Sequence, residues 1–399
     1  MDRARTTAMA LGLYMHSGMS FYTSWCGIVD QSTNHFAAGF LSTTFDYLHN
    51  FRMQVFFVIS GFFTKKILSR GVLVFLRNRA VRLGIPFLIG VLTIGPFINS
   101  CNSYGVLKAS GVSQSLLASL YDQLTASRKW RELTPHYLWF LLYLLIYSPL
   151  VAAFLFVEQE GVGVNERMNV LKRSIKSLAA SKCTPLVGAI PLVIIQVLTQ
   201  ERPFNEVGNS FIPCLGSLLA YGCFFAYGCV LSSHLEAFVW IRERAYFNLL
   251  VGTGVWVTSA LVLPHGVTVG IFNHTNAVEP FSPWIAVCSQ ALVPWMLTLG
   301  FLGIFLRHGN QNSQLFLRLS KMSYWVYFSH VPILMLLQVL TADWPYSWWL
   351  KLILFNVGQF GISALLFFCF LAFPWFRGCF AGNSNALSNP TSGRESGVA

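Results

Sequence analysis

The stretch YLWFLLYLLIYSPLVAAFLFV, residues 137–157, holds 21 consecutive residues without a charged side chain. As an α-helix it would be about 30 Å long, which is the thickness of the hydrocarbon core of a bilayer. Lipid offers no hydrogen-bond partner to an exposed backbone, so an apolar run of this length must be helical to exist in a membrane. The stretch therefore predicts a membrane-spanning α-helix.

Similar runs recur along the chain, which is 54% hydrophobic, only 11% charged and has a mean hydropathy of +0.56. The alternation at period two that marks a membrane β-barrel is absent. The sequence therefore predicts an all-α, polytopic integral membrane protein with about ten transmembrane helices. The predicted spans lie near residues 4–24, 48–64, 83–101, 136–156, 184–199, 211–232, 245–264, 283–306, 322–341 and 349–375.

The basic residues predict the orientation of the chain. Residues 25–47 hold no Lys or Arg, whereas residues 65–82 hold six. Cytoplasmic loops are enriched in Lys and Arg, so this contrast and the rest of the tally place the N- and C-termini in the cytoplasm. The formal net charge of +12 is thus explained by topology. Nucleic-acid binding is not expected, because no soluble basic domain is visible.

Composition divides the chain into two parts. Residues 1–380 form one membrane-embedded domain, in which residues 65–82 are expected to lie as a basic amphipathic segment on the cytoplasmic surface. Residues 381–399, AGNSNALSNPTSGRESGVA, have almost no apolar side chains and predict a disordered tail. The nine cysteines show no metal-ligand spacing and are expected to be free thiols. A disulfide between Cys26 and Cys101 is the minor alternative.

Ionisable side chains inside spans are costly, so they point to cavities or partners. The sequence places four there: Arg5, His16, Arg52 and His330. Arg5 and His16 are eleven residues apart, which leaves an angular offset of about 20° and a separation of about 16 Å on one helix face. That geometry suits a long anionic donor with its phosphates near Arg5 and its reactive end near a proton-accepting His16. The alternatives are that Arg5 orients the chain and that His16 bonds a neighbouring helix.

Other candidates carry weaker signals. Arg79 and Arg82, three residues apart, could form a fork for phosphates or simply be surface charge. Arg52 could line a cavity or extend its charge to the interface, and His330 could be a structural hydrogen-bonding residue. No zinc signature, phosphate loop, nucleophile elbow or dinucleotide fingerprint occurs, so neither a metal nor a bound cofactor is expected.

Five segments in this order resemble acyltransferase family 3, a family of integral membrane proteins, and most closely its branch containing glucan biosynthesis protein C. The first is Asp2 and Arg5 followed by His16. The others are FRMQVFFVISGFF (51–63) with Arg52, FLRNRAVRLGIPF (75–87) with Arg79 and Arg82, HYLWFLLYLL (136–145) with His136, and YWVYFSHVPIL (324–334) with His330.

The resemblance implies a membrane-bound O-acyltransferase that moves an acetyl or succinyl group from cytoplasmic acyl-CoA to a hydroxyl of an envelope glycan or similar acceptor. In this interpretation Arg5, Arg79 and Arg82 bind the donor and His16 is the catalytic base. The roles expected for Arg52, His330 and His136 are to line the cavity. The resemblance also implies residence in a bacterial inner membrane, and it leaves the oligomeric state open.

Three alternatives remain at this point. An acyl-histidine intermediate competes with direct transfer. A multi-span transporter for a small solute could use buried Arg and His as substrate or proton-relay groups, although no inverted repeat is visible. A catalytically inactive scaffold would tolerate the loss of His16.

Overall fold

A computed structural model of the chain describes residues 1–112, 115–125, 133–159, 181–200, 210–262, 282–309 and 314–381, with 177 and 204 as single residues. Within these ranges no β-strand is formed, and the all-α prediction is confirmed for them. The principal helices are α1 (Asp2–Gly18), α2 (His35–His49), α3 (Arg52–Leu68), α4 (Val72–Arg79), α5 (Ile85–Ala109), α6 (Leu116–Thr125), α7 (Trp139–Gln159), α8 (Thr184–Thr199), α9 (Leu215–Leu231), α10 (Ala237–Glu243), α11 (Ala245–Val262), α12 (Ser282–His308), α13 (Gln314–Thr341) and α14 (Trp348–Phe370).

Several of these helices can cross a bilayer, which makes the chain a multi-pass membrane protein. Among the described residues, five runs are long and apolar enough to span: Val72–Ala109, His136–Phe154, Trp284–His308, Gln314–Thr341 and Trp348–Phe370. Shorter apolar helices cover Thr184–Thr199, Leu215–Leu231 and Ala245–Leu261. Helices α1 and α3, with 17 residues each, are in neither group. The number of about ten spans and the orientation therefore stay predictions. The predicted tail lies, except for Ala381, outside the described residues.

The basic segment 65–82 does not form one helix. Helix α3 continues to Leu68, and the chain then turns through Gly71, whose φ is +113°. A new helix begins at Val72 and passes into α5 through a π-helical turn, Ala80–Gly84. The placement of this segment on the cytoplasmic surface stays a prediction.

Helix α1, which carries Arg5 and His16, is held on several sides. It packs against α2, α3, α13 and α14. Its buried residues include small side chains such as Ala4, Ala8 and Gly12, which allow neighbouring helices to approach closely.

Two glycines allow α3 and α9 to pack backbone against backbone. A Cβ atom at Gly61 would lie 2.0 Å from the carbonyl oxygen of Phe225, and one at Gly228 would lie 2.1 Å from the carbonyl oxygen of Val58. Only residues without side chains permit this approach. The contact fixes α3, and hence Arg52 at its N-terminal end, against the rest of the bundle.

The connection of residues 22–34, which we call the cap loop, closes over the C-terminal end of α1. Its Asp30 accepts a hydrogen bond from Lys351 at 2.8 Å, and both side chains are 1% exposed. The backbone N–H of Gln31 donates to the carbonyl oxygen of Ala342 at 3.1 Å. The cap loop is therefore attached to the connection between α13 and α14. Cys26, in this loop, and Cys101 are buried free thiols.

Candidate active site

Two imidazole rings from distant parts of the sequence meet at the C-terminal end of α1. His16, in the last turn of α1, and His330, on α13, have ring centroids 5.4 Å apart. The ring of Trp25, from the cap loop, stacks on the His16 ring at 5.9 Å with an interplanar angle of 18°, and Nδ1 of His16 lies 3.4 Å from Sδ of Met19. The structure thus brings together two of the residues that the sequence singled out.

The hydrogen bonds of His330 define which of its nitrogens carries the proton. Its Nδ1 lies 2.7 Å from the carbonyl oxygen of Tyr327 and 3.0 Å from that of Val326. A carbonyl oxygen only accepts, so Nδ1 must donate, and in the neutral ring Nε2 keeps a free lone pair. The side chain is 4% exposed. His330 is therefore oriented by its own helix and presents an acceptor nitrogen to its surroundings.

A proline next to His330 frees a backbone acceptor, and a tyrosine occupies it. Pro332 has no N–H, so the carbonyl of Phe328 four residues earlier lacks its usual helical partner. The hydroxyl of Tyr137 donates to that carbonyl. The Tyr137 ring also meets the His330 ring edge to face at 5.6 Å. Tyr137 consequently satisfies the backbone of α13 next to the point where His330 faces His16.

Two buried glutamines fix the last turns of α1. Gln359 of α14 donates through Nε2 to the carbonyl oxygen of Leu13 at 3.1 Å and to Oγ of Ser17 at 2.7 Å. Gln338 of α13 donates to the carbonyl oxygen of Ser17 at 3.2 Å, while its Oε1 accepts from Nε1 of Trp25 at 2.9 Å. Ser17 lies in the last turn of α1, where the backbone carbonyls have no intrahelical partner. The two amides therefore hold the backbone that carries His16.

Arg52 is buried beside α1 without a counter-ion among the described residues. The residue is 8% exposed, and its Nε atom is buried without a hydrogen-bond partner among the described residues. A Cβ atom at Gly12 would lie 2.1 Å from Nη1 of Arg52, so the guanidinium lies directly against the α1 backbone. His16 and His330 are both within electrostatic range of this charge. Arg52 therefore belongs to the same interior region as the two imidazoles.

The three arginines predicted to bind the donor gather near the N-terminal end of α1. Arg5 donates to the carbonyl oxygen of Ser320 at 2.7 Å and lies 3.7 Å from the Asp2 carboxylate. Arg82 lies within electrostatic range of both Arg5 and Arg79. Since α1 is continuous from Asp2 to Gly18, it separates this end from His16 by eleven residues, or about 16 Å.

The surroundings of Arg79 and Arg82 differ. Arg79 donates to Oγ1 of Thr64 at 2.8 Å and lies over the Phe75 ring at 5.1 Å. The Arg82 side chain forms no hydrogen bond or ion pair with the residues that the structure describes. Its backbone carbonyl accepts the hydroxyl of Tyr324 at 2.6 Å. Arg82 is therefore the arginine of this group with the freest side chain.

His136 does not join the pair of histidines. It lies against Gly95 of α5, its φ is +44°, and its buried Nε2 has no hydrogen-bond partner among the described residues. The next residue, Tyr137, is the one that reaches His330. Sequence reasoning missed Tyr137, Trp25, Gln338 and Gln359; the position of Tyr137 within the HYLWFLLYLL segment was the only signal for any of them.

Comparisons with known proteins point to one family. The profile of a family described as "Acyltransferase domain" matches residues 1–375. The chain is 25% identical over 394 residues to Glucans biosynthesis protein C of Escherichia coli strain K12. The alignment covers 96% of this chain and 94% of that protein. The same protein of Escherichia coli O157:H7 and of O6:K15:H31 matches with the same identity and coverage. No solved structure matches the chain.

Proposed function

This chain belongs to the acyltransferase family whose profile covers residues 1–375, and from that premise we propose what it transfers, from where and to what. The chain is a membrane-bound acyltransferase, as the predicted resemblance to acyltransferase family 3 implied. The donor is a cytoplasmic acyl-CoA, carrying an acetyl or succinyl group. The acceptor is a hydroxyl of an envelope glycan or a similar molecule, a proposal supported by the name of the E. coli relatives.

One observation carries the proposal: the continuous helix α1 extends from a cluster of arginines to a histidine. Acyl-CoA is long and bears phosphates at the end remote from its thioester. Arg5, Arg79 and Arg82 supply cationic donors suited to phosphates at one end of α1. His16 lies about 16 Å further along the same helix. Donor length and charge therefore fit the separation of the two groups.

His16 acts as the general base in this proposal. Its imidazole takes the proton of the acceptor hydroxyl while the hydroxyl oxygen attacks the thioester carbon. The proton then passes to the sulfur of CoA as the C–S bond breaks. His330, held by its Nδ1 hydrogen bonds and facing His16, orients the acceptor through its Nε2 lone pair. An acyl-His16 intermediate is the competing route.

The same proposal includes the placement of the protein. Residues 1–380 form the acyltransferase domain with about ten spans, both termini are cytoplasmic, and the membrane is a bacterial inner membrane. The arginine cluster then opens to the cytoplasm, where acyl-CoA is found. The cap loop faces the opposite side, from which the acceptor enters.

Transfer of label from radioactive acetyl-CoA and succinyl-CoA into envelope glycans tests the proposal. Wild type is expected to label the glycan from one donor, whereas His16→Ala and Arg82→Ala are expected to lose label by about 10²-fold or more at matched protein levels. His234→Ala and Arg242→Ala, outside the site, are the matched controls and should retain activity. Absence of label from both donors with the wild type would contradict the proposed donor, and full activity of His16→Ala would contradict its role.

A further inference from the structure

We propose that Arg52 is a catalytic residue that stabilises the negative charge developing on the thioester carbonyl oxygen during acyl transfer. The inference rests on the proposed function, because it needs a thioester beside His16. It assigns a task to a side chain that donor binding and proton transfer do not use.

The burial of Arg52 calls for an anionic partner. Moving a charge out of water is costly, and proteins offset that cost with a counter-ion or a full set of hydrogen bonds. Arg52 is 8% exposed, its Nε has no hydrogen-bond partner, and no described carboxylate pairs with it. A charge kept under these conditions is suited to meet negative charge that arrives with the substrate or forms in the reaction.

Arg52 lies beside the part of α1 that carries His16, where that negative charge would form. Its Nη1 lies where the side chain of residue 12 would begin, at 2.1 Å from a Cβ built on Gly12. Gly12 and His16 are four residues apart, so they share one face of α1 and are separated by about 6 Å along its axis. The guanidinium, which reaches this face of α1 from α3, therefore lies beside the part of α1 that carries the His16 imidazole.

Acyl transfer creates a negative charge that a cation at this place would stabilise. When the acceptor oxygen bonds to the thioester carbon, the π electrons of the C=O bond move to the carbonyl oxygen, and the hydroxyl proton moves to His16. The resulting oxyanion then returns its electrons to re-form C=O, the C–S bond breaks, and the sulfur takes the proton. A preorganised donor aimed at the oxyanion lowers this barrier strongly in a water-excluded site.

Gly12 has a defined part in this arrangement. A methyl carbon at residue 12 would lie 2.1 Å from Nη1 of Arg52, which is an overlap, and 3.2 Å from its Cζ. The guanidinium is the end of a flexible side chain and would move aside. Gly12→Ala therefore displaces the cation without removing it, which separates its position from its charge.

The test uses the full-length protein purified in detergent, radioactive acetyl-CoA or succinyl-CoA, and the extracted envelope glycan fraction as acceptor. With acetyl-CoA or succinyl-CoA alike, Arg52→Gln is expected to lower kcat by about 10²–10³-fold while the KM for the donor changes by less than about threefold. Arg52→Lys should recover part of the loss. Gly12→Ala should lower kcat in the same way, while Gly39→Ala, whose Cβ would meet nothing within 4 Å, should leave it unchanged.

Four results would overturn the proposal. A rise in donor KM with kcat intact would make Arg52 a binding group only. A loss confined to succinyl-CoA, with acetyl transfer preserved, would show that Arg52 pairs with the carboxylate of the acyl group. Unchanged kinetics for Arg52→Gln would show that Arg52 takes no part in the reaction, and the proposed function would still stand. Failure of the wild type with both donors would overturn the role of Arg52 and the proposed function together. If Arg52→Gln does not fold, Arg52→Lys and Gly12→Ala give the same kcat-against-KM readout.

Discussion

At the scale of single residues, a tyrosine compensates for a proline. Pro332 lacks a backbone N–H and so leaves the carbonyl of Phe328 without its usual helical partner. The hydroxyl of Tyr137 donates to that carbonyl. Because lipid supplies no donor, this hydroxyl satisfies a backbone acceptor on the helix that carries His330.

Tyr137→Phe should therefore destabilise the protein by about 1–3 kcal/mol, since it leaves a buried carbonyl unsatisfied. In a Pro332→Ala background, where residue 332 again carries an N–H, the same substitution should cost clearly less. Thermal unfolding of the four proteins in detergent gives the coupling between the two sites. Equal costs in both backgrounds would mean that the hydroxyl does not replace the missing N–H.

At the scale of elements, the contact between α3 and α9 depends on the absence of two side chains. Gly61→Val places atoms where the Phe225 carbonyl lies, so the helices must separate and α3 must shift. We expect a loss of several kcal/mol or failure to fold, as for other overpacked helix contacts. Gly254→Val on α11 is the matched control, because a Cβ there would meet nothing within 4 Å. Melting temperature and monodisperse yield measure both; equal tolerance of the two variants would refute the close contact.

The ion pair between the cap loop and α14 gives a second prediction at this scale. Lys351→Met leaves Asp30, 1% exposed, as an uncompensated buried charge and should cost about 3–5 kcal/mol. The pair Lys108–Asp343 has the same 2.8 Å separation, but its side chains are 21% and 49% exposed. Lys108→Met should therefore cost no more than about 1 kcal/mol. Unfolding of the two variants in the same detergent compares them directly, and similar losses would show that burial is not the cause.

The sequence predicts the helices and the Arg5–His16 relation because both depend on neighbours along one helix. Apolar length predicts a span, and a period of 3.6 places two residues on one face. Lys351 was missed because a lysine near a span end usually reaches the interface, and its partner Asp30 is 321 residues away. The glutamines that hold α1 were missed because a buried amide has no pattern of its own in a sequence.

At the scale of the whole molecule, the positive-inside distribution predicts the direction in which the proposed enzyme moves acyl groups. With the N-terminus in the cytoplasm, the loop near residue 71 is cytoplasmic and the loop near residue 112 is on the far side. Alkaline phosphatase fused after residue 112 should be active, and the same enzyme fused after residue 71 should be inactive. The reverse pattern would place the arginine cluster on the side without acyl-CoA.

Gln338 restricts which sequences this architecture tolerates. It gives a hydrogen bond to the end of α1 and receives one from Trp25. Glutamate could receive but not give, and methionine or leucine could do neither. Saturation mutagenesis at this position, scored by acyl transfer, should therefore return glutamine almost alone. Gln359 and Lys351 also hold α1 and the cap loop, but Gln338 is the amide that contacts both of them. Other walls of the proposed site are therefore expected to vary more freely than this position.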